Sequence, residues 1–404
     1  MKKVSILLMG ALLFITSCAP NIGNEDEISQ DDESEQETSI VPSNQLSDES
    51  YRMILPYEPS AARGVIVGQI ANRVDIDEVE EGLMRHSKEV YDPKDHYFQE
   101  GQYLTEEMVY DWLGRALTEE QLETAVQEEI ERLEDAGMTV DEEEIRGNLQ
   151  QGMNPPIEDD ENKEMQEENP RYLSHILEQN YLVQGEEDSV HLAGISIGIA
   201  LKSVYQFVAE GAEYNEDIPV DEMMEQGEEM AQSILEEMRE IEGLEDIPIM
   251  FAIYREEEES SPVPGNFVAK TNVSGGDTTV GNWDSIDEET VLFPSEEGQE
   301  NYFDDHEIIT SFGNEIAEFF PNYTGVIGEG FYINEELQKL TIEIPLEFNA
   351  KAEVIGFTQF TYGLVQDMFA DYFDLEVNIT SNNQMESLIY REAGAESPTV
   401  HIYD

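Results

Sequence analysis

Cysteine is almost absent: the 404 residues contain one, Cys18, so no disulfide can form within the chain. Basic residues are nearly as scarce. Twenty Lys and Arg face 92 Asp and Glu, for a formal charge of −72. A chain so acidic offers no basic groove for phosphates, which excludes nucleic acid as a partner and polybasic attraction to anionic lipid. No apolar run reaches the roughly 18–20 residues that a membrane-spanning helix needs. The signatures of common active sites are missing as well: there is no GxSxG elbow, HExxH, Walker loop or GxGxxG fingerprint. The residues imply no cofactor and no metal. What is present is 39% hydrophobic and 9% aromatic residues, enough for a real core, so disorder throughout is excluded.

The first 18 residues, MKKVSILLMGALLFITSC, read as a signal peptide: Lys2 and Lys3 precede an apolar stretch from Val4 to Thr16 that is too short to span a bilayer. Ile15-Thr16-Ser17-Cys18 resembles the bacterial lipobox, in which the signal peptidase for lipoproteins cuts between Ser17 and Cys18. A thiolate is the nucleophile needed to accept a diacylglyceryl group, and the lone thiol falls where that chemistry needs it. A diacylglyceryl group on Cys18 would hold the protein to the membrane, on its extracytoplasmic face. The sole cysteine being committed to lipid, thiol catalysis is excluded. Residues 21–50 carry ten acidic and no basic residues and are expected to form a disordered acidic tether.

The acidity is spread over every expected helix. Dense like charge repels at moderate salt, where the Debye length is about 8 Å, and is screened near 1 M, where it is about 3 Å. Adaptation of an exposed protein to high salt explains this, and an acidic domain for calcium or a cationic partner is the alternative.

Beyond the tether the pattern is α+β: two mostly antiparallel sheets covered by helices. Asp75 opens a helix with Glu78 as capping partner and Val79, Leu83 and Met84 on one face. Thr105–Arg115 is a helix, and Thr118 with Gln121 caps another that stops near Gly137. Residues 141–170 read as an acidic insert of one helix and a loop. Across Gly194–Leu201 large and small residues alternate, which predicts a strand whose small face admits a close neighbour, with a bulge near Ala193-Gly194. A helix follows over 221–241, then strands at 247–255 and 267–273. Strands at 325–333 and 340–348, a helix over 357–373, and strands at 375–380, 387–391 and 399–403 complete the chain. The order hairpin, helix, strand, strand occurs at 181–273 and again at 325–391, which predicts a diverged duplication. The expected division is residues 1–17 signal peptide, 18–50 lipidated cysteine and linker, 51–220 an N-terminal part and 221–404 a C-terminal part, with 51–404 as one continuous domain the alternative.

Candidate functional residues are few. His96, Tyr97, Phe98, Gln99, Gln102 and Tyr103, near Trp112, concentrate aromatics and amides as a stacking surface for sugars or peptides does. The competing reading is that these aromatics anchor a loop to the core. Asp304-Asp305-His306 is an acidic triplet of the kind this composition produces everywhere, and His191 reads as an edge histidine.

Long stretches resemble the CamS-type sex pheromone lipoproteins of Gram-positive bacteria: residues 72–104, YLSHILEQNYL at 172–182, VHLAGISIGIALKSVY at 190–205, IPIMFAIYR at 247–255, EVIGFTQF at 353–360 and PTVHIY at 398–403. The resemblance implies that the leader is trimmed to a short hydrophobic peptide sensed by other cells. Here that peptide is Ala11, Leu12, Leu13, Phe14, Ile15, Thr16 and Ser17. For the folded part the expectation is a binding or scaffolding module at the cell envelope, with an envelope component or a peptide as partner. The alternative is an extracytoplasmic hydrolase of wall sugars or peptides, which would show two carboxylates about 5–9.5 Å apart in a deep aromatic cleft.

Overall fold

The computed structural model describes residues 25–30, 38–42, 45–47, 49–65, 71–73, 75–185, 189–320, 325–347, 350–382 and 384–403. The leader, Cys18 and the Ala11–Ser17 peptide lie outside the described residues. Two short strands occur in the expected tether: β1 (Glu25–Gln30) pairs antiparallel with β2 (Thr38–Pro42) and lies parallel to the start of β6 (Ser189–Leu201).

The first sheet grows outward from β6. Its hairpin partner is β5 (Leu173–Gln184), followed by β4 (Tyr97–Glu100) and the two-residue β3 (Arg52–Met53). On the other side lie β9 (Ile249–Arg255), parallel to β6, then β10 (Asn266–Val273) and β11 (Asp284–Ser285). The helix α6 (Val220–Glu240) makes the crossover between the parallel pair, after a small hairpin of β7 (Val204–Ala209) and β8 (Ala212–Asp217). The alternation in β6 does what its sequence implies. Ile195, Ile197, Ile199 and Leu201 join one core with Met230, Ile234, Leu235 and Met238 of α6. The small residues turn to α1 (Ile76–Ser87): a Cβ on Gly198 would stand 3.3 Å from Leu83, and the hydroxyls of Ser87 and Ser196 bond at 2.7 Å. The expected bulge is present, opposite the step from Tyr181 to Leu182. Asp75 caps α1 without a side-chain bond, its Oδ1 accepting from Arg73 at 2.7 Å and its Oδ2 from no group among the described residues, so the expected capping box does not form there.

Between β4 and β5 run α2 (Glu106–Trp112), α3 (Glu119–Asp135), α4 (Glu142–Leu149) and α5 (Lys163–Glu168). The Thr118–Gln121 capping box forms, and Gly137 takes φ +73° just past α3, a left-handed stop that glycine makes without a Cβ clash. The acidic insert holds two helices rather than one, with α4 packed back on α3 through Ile145, Leu122 and Val126.

The second sheet runs in sequence order: β12 (Glu288–Phe293), β13 (Ile327–Ile333), β14 (Glu336–Pro345), β15 (Asp374–Ser381), β16 (Gln384–Arg391) and β17 (Thr399–Ile402). Asn334 and Glu335, both at positive φ, make the tight turn between β13 and β14, so β14 begins four residues before its expected start. Helix α9 (Lys351–Met368) makes the crossover to the parallel β15, and also starts and ends earlier than its apolar stretch predicts. With α8 (Phe303–Phe319), preceded by the single-turn α7 (Glu296–Asn301), it buries Phe312, Ile316, Phe357 and Val365 against Ile342, Ile344, Val377 and Ile379.

The two sheets share a topology. The path β4-β5-β6-β9-β10-β11 matches β12-β13-β14-β15-β16-β17 strand for strand, with the parallel pair at the same place and a helix crossing over it in each. The repeat is one strand longer at each end than its sequence signal. The chain changes sheet between Ser285 and Glu288, so the expected division at residues 220 and 221 falls within the first sheet, just before its crossover helix has reached β9.

Candidate functional site

The expected aromatic surface at residues 96–103 does not form. Its core, Tyr97–Glu100, is strand β4, hydrogen-bonded between β3 and β5 with both faces covered. Alternation sends Tyr97 into a cluster with Ile54, Leu182 and Val190, and Phe98 to the opposite face with Tyr51, Tyr91 and Tyr181. Gln99 is buried too. His96 is half-buried, its ring edge-on to Tyr91 at 5.6 Å, and Tyr103 packs on the main core. Only Gln102 is exposed, and its amide is spent on the carbonyls of Glu58 and Glu100. Beneath this segment sits a buried carboxylate, Glu178 of β5. It accepts the backbone N–H of Gln102 at 3.0 Å, of Tyr103 at 3.1 Å and of Leu104 at 2.7 Å. Burial pushes the Glu178 carboxyl up, against the pull of those N–H groups. These bonds clamp the chain after β4 to β5.

The acidic triplet is likewise occupied: Asp305 accepts the Tyr332 hydroxyl at 2.8 Å. Among the described residues no three His, Cys, Asp or Glu are placed to hold a metal, and no helix is long and apolar enough to cross a membrane. His191 is exposed on β6.

Trp112 leads to a cavity. A groove of about 270 Å³ lies between α6 and residues 150–153, over the edge of Trp112. The α6 wall presents Gln226, Glu229, Ser233, Glu236 and Glu237, a stripe at helical spacing on the side of the helix turned from the core. The facing wall is held firmly. Asn154, fully buried, donates to the carbonyl of Leu113 at 2.9 Å and accepts the N–H of Leu173 at 2.9 Å. Arg115 donates to the carbonyl of Pro155 at 2.6 Å and that of Asn169 at 2.8 Å, and Gly152 lies so close that a Cβ would stand 2.3 Å from the Arg115 carbonyl. By contrast, the side chains of Gln150, Gln151, Gln226, Glu229 and Glu237 have no hydrogen-bond or ion-pair partner among the described residues. The groove therefore offers amide donors and carboxylate acceptors on a preorganised frame. The Ser233 hydroxyl donates back to the Glu229 carbonyl at 3.2 Å, and no histidine lines the groove. Trp112 is 1% exposed, so there is no aromatic platform of the kind a glycosidase cleft uses. Nothing in the sequence marked this stripe, since polar residues at that spacing are what any solvated helix face carries.

A second cavity, about 410 Å³, opens between the start of α1 and β13, lined by Arg73, Asp75, Asp77, Glu78 and Glu329. Burial together with Glu81 and Glu329 pushes the Glu78 carboxyl up, and Arg73 is already committed to Asp75 and to the Ser261 carbonyl. Four of its lining side chains are carboxylates and its one cation is already committed, although the Asp75 Oδ2 has no hydrogen-bond partner among the described residues.

The architecture is thus a duplicated α+β protein with two helix-covered sheets. Residues 57–397 match the family model described as CamS sex pheromone cAM373 precursor, and the chain belongs to that family. It is similar to the C-terminal domain of the sex pheromone staph-cAM373 precursor from Staphylococcus aureus, at 28% identity and TM-score 0.66, over 81% of this chain and 96% of that one. It also shares the fold of a sex pheromone precursor from Lactobacillus salivarius, at 24% identity and TM-score 0.74, over 90% of this chain and 98% of that one. No curated protein matches the chain.

Proposed function

We propose that the chain is a lipid-anchored protein of the extracytoplasmic face whose folded part is a binding module, with the groove between α6 and residues 150–153 as its ligand site. The observation that carries this reading is the contrast within the groove: a backbone wall pinned by Arg115 and Asn154, and amide and carboxylate side chains without partners. Such a frame binds hydrogen-bonding ligands with little ordering cost. An envelope glycan or peptide fits that chemistry. The hydrolase alternative finds less support, because no exposed aromatic platform accompanies the carboxylates.

Anchoring rests on the leader: Cys18 as the lipid acceptor, after cleavage by the signal peptidase for lipoproteins behind Ser17. The relatives are named as sex pheromone precursors, which supports release of the Ala11–Ser17 heptapeptide, ALLFITS, as a signal.

Ser233→Trp tests the groove. The position is exposed on α6, so a large side chain there fills the groove without entering the core. The purified mature chain should bind isolated cell-envelope fragments, and the variant should lose that binding about tenfold or more with an unchanged unfolding midpoint. Equal binding by the two proteins would remove the groove from the account.

A further inference from the structure

Lys202 directly follows β6, at the end of the first sheet where the parallel strands β6 and β9 both finish. Open sheets with parallel strands bind ligands outside those carboxyl ends. The residue is 5% exposed, yet its ammonium has no hydrogen-bond or ion-pair partner among the described residues. The carboxylate acting on it, Glu256, is itself 2% exposed and accepts the Ser174 hydroxyl at 2.6 Å. Two further cations act on it, Arg115 and Arg171, the second of them adjoining Tyr172, whose carbonyl accepts the Lys202 N–H at 2.8 Å. Arg115 is used up: besides the carbonyls of Pro155 and Asn169, it holds Gln166 at 3.0 Å and the Tyr205 hydroxyl at 2.9 Å. Arg171 is half-buried and, like Lys202, has no hydrogen-bond or ion-pair partner among the described residues.

The charges acting on Lys202 are thus two cations and one carboxylate, in a chain that has 92 Asp and Glu to place beside 20 Lys and Arg. An unpaired ammonium on a side chain this buried is destabilising, and a titratable group perturbed by burial is a mark of functional sites. We propose that this end of the first sheet binds a small oxyanion, a carboxylate or a phosphate, through the Lys202 ammonium and the Arg171 guanidinium. Neither Lys202 nor Arg171 lines the α6 groove, and only Arg115, which pins the groove wall, is common to the two surroundings. The state of the amine fits: burial lowers its pKa to about 8, with Glu256 opposing and Arg171 and Arg115 adding to the fall. An oxyanion beside it restores the missing counter-charge, and Arg171 supplies the planar fork that such groups accept.

The test uses the mature chain with sodium acetate and inorganic phosphate as separate probes, at constant ionic strength, following the thermal midpoint. At least one probe should raise the midpoint saturably, and which one does so identifies the oxyanion. Lys202→Met keeps the aliphatic stem and removes the charge, so it should fold and lose the response. Arg171→Gln should weaken the response about tenfold. Should Lys202→Met fail to fold, the Lys202 amine is titrated by NMR in the wild type, where the effective probe should raise its pKa. No saturable shift up to about 50 mM of either probe, an undiminished response in Lys202→Met, or an amine titration indifferent to both probes would each overturn the proposal.

Discussion

Glu288 opens β12, the first strand of the second sheet, and its partners lie on α1, which packs on the first. Arg85 Nη2 stands 2.9 and 3.0 Å from the two carboxylate oxygens and its Nε 3.1 Å from one of them, while His86 Nε2 is 2.9 Å away in poorer hydrogen-bond alignment. The carboxylate is 1% exposed, and the Arg85 guanidinium also lies over the Phe331 ring at 4.5 Å. Removing one partner of a buried pair costs about 3–5 kcal/mol. The Arg85 side chain is 34% exposed and can recover water, so Glu288→Gln should cost near the lower figure, about 3 kcal/mol. At roughly 2–4 °C per kcal/mol for a unit of this size, the midpoint should fall by about 6–12 °C. Burial would raise the Glu288 carboxyl, but the imidazole of His86 and the charge of Arg85 outweigh it and hold the pKa below the usual carboxylate range. A depressed carboxylate stabilises fully above its unfolded pKa and loses that contribution as pH falls through the folded one. The gap between wild type and variant should therefore close as the pH drops from about 5 towards 2. Denaturant titrations of Glu288→Gln, Arg85→Met and the double variant measure the coupling. A cycle that is additive within about 0.5 kcal/mol would refute the clasp.

Three other outcomes follow from the packing. Glu178→Gln turns an amide NH₂ towards the N–H groups of residues 102–104 and should cost about 3 kcal/mol, read in urea denaturation; a change under about 1 kcal/mol would mean the clamp is idle. Gly194→Ala would set a Cβ 2.2 Å from the Tyr91 ring, itself stacked on Tyr181 at 4.6 Å, and should destabilise by about 1–3 kcal/mol, whereas an unchanged midpoint would show the ring free to yield. The net charge of −72 should make the unfolding midpoint of the mature chain rise between about 0.1 and 2 M NaCl; a flat midpoint with a sharp response to micromolar calcium would favour specific ion sites over salt adaptation.

The fold was readable where the pattern was strong and local. The large-small alternation of β6 specified which face meets α6 and which meets α1, and Thr118 with Gln121 marked the start of α3. The repeat of hairpin, helix and strands pointed to the shared topology, although β12 and the β7-β8 hairpin carry no comparable signal. The aromatic run at 96–104 was ambiguous for a physical reason. Tyr, Phe and Gln suit a half-exposed platform and a doubly covered strand equally well, and only the pairing of β4 with β3 and β5 decides between them. The change of sheet between Ser285 and Glu288 left no mark in the sequence, because α6 opens a new stretch of chain while the strand it leads to returns beside β6. Groove and lysine niche escaped notice because each depends on residues far apart in the chain: 112, 150–153 and 226–237 in one, 115, 171, 202 and 256 in the other.

The most direct test of the account is the mass of its N-terminus. Protein extracted from membranes of cells expressing the full chain should begin at Cys18 and carry the added mass of a diacylglyceryl group, and the culture supernatant should contain a fragment ending at Ser17. Cys18→Ala should leave no acylated species. A wild-type N-terminus without lipid, or an acylated, processed form of the variant, would contradict the anchoring on which the proposed role at the envelope rests.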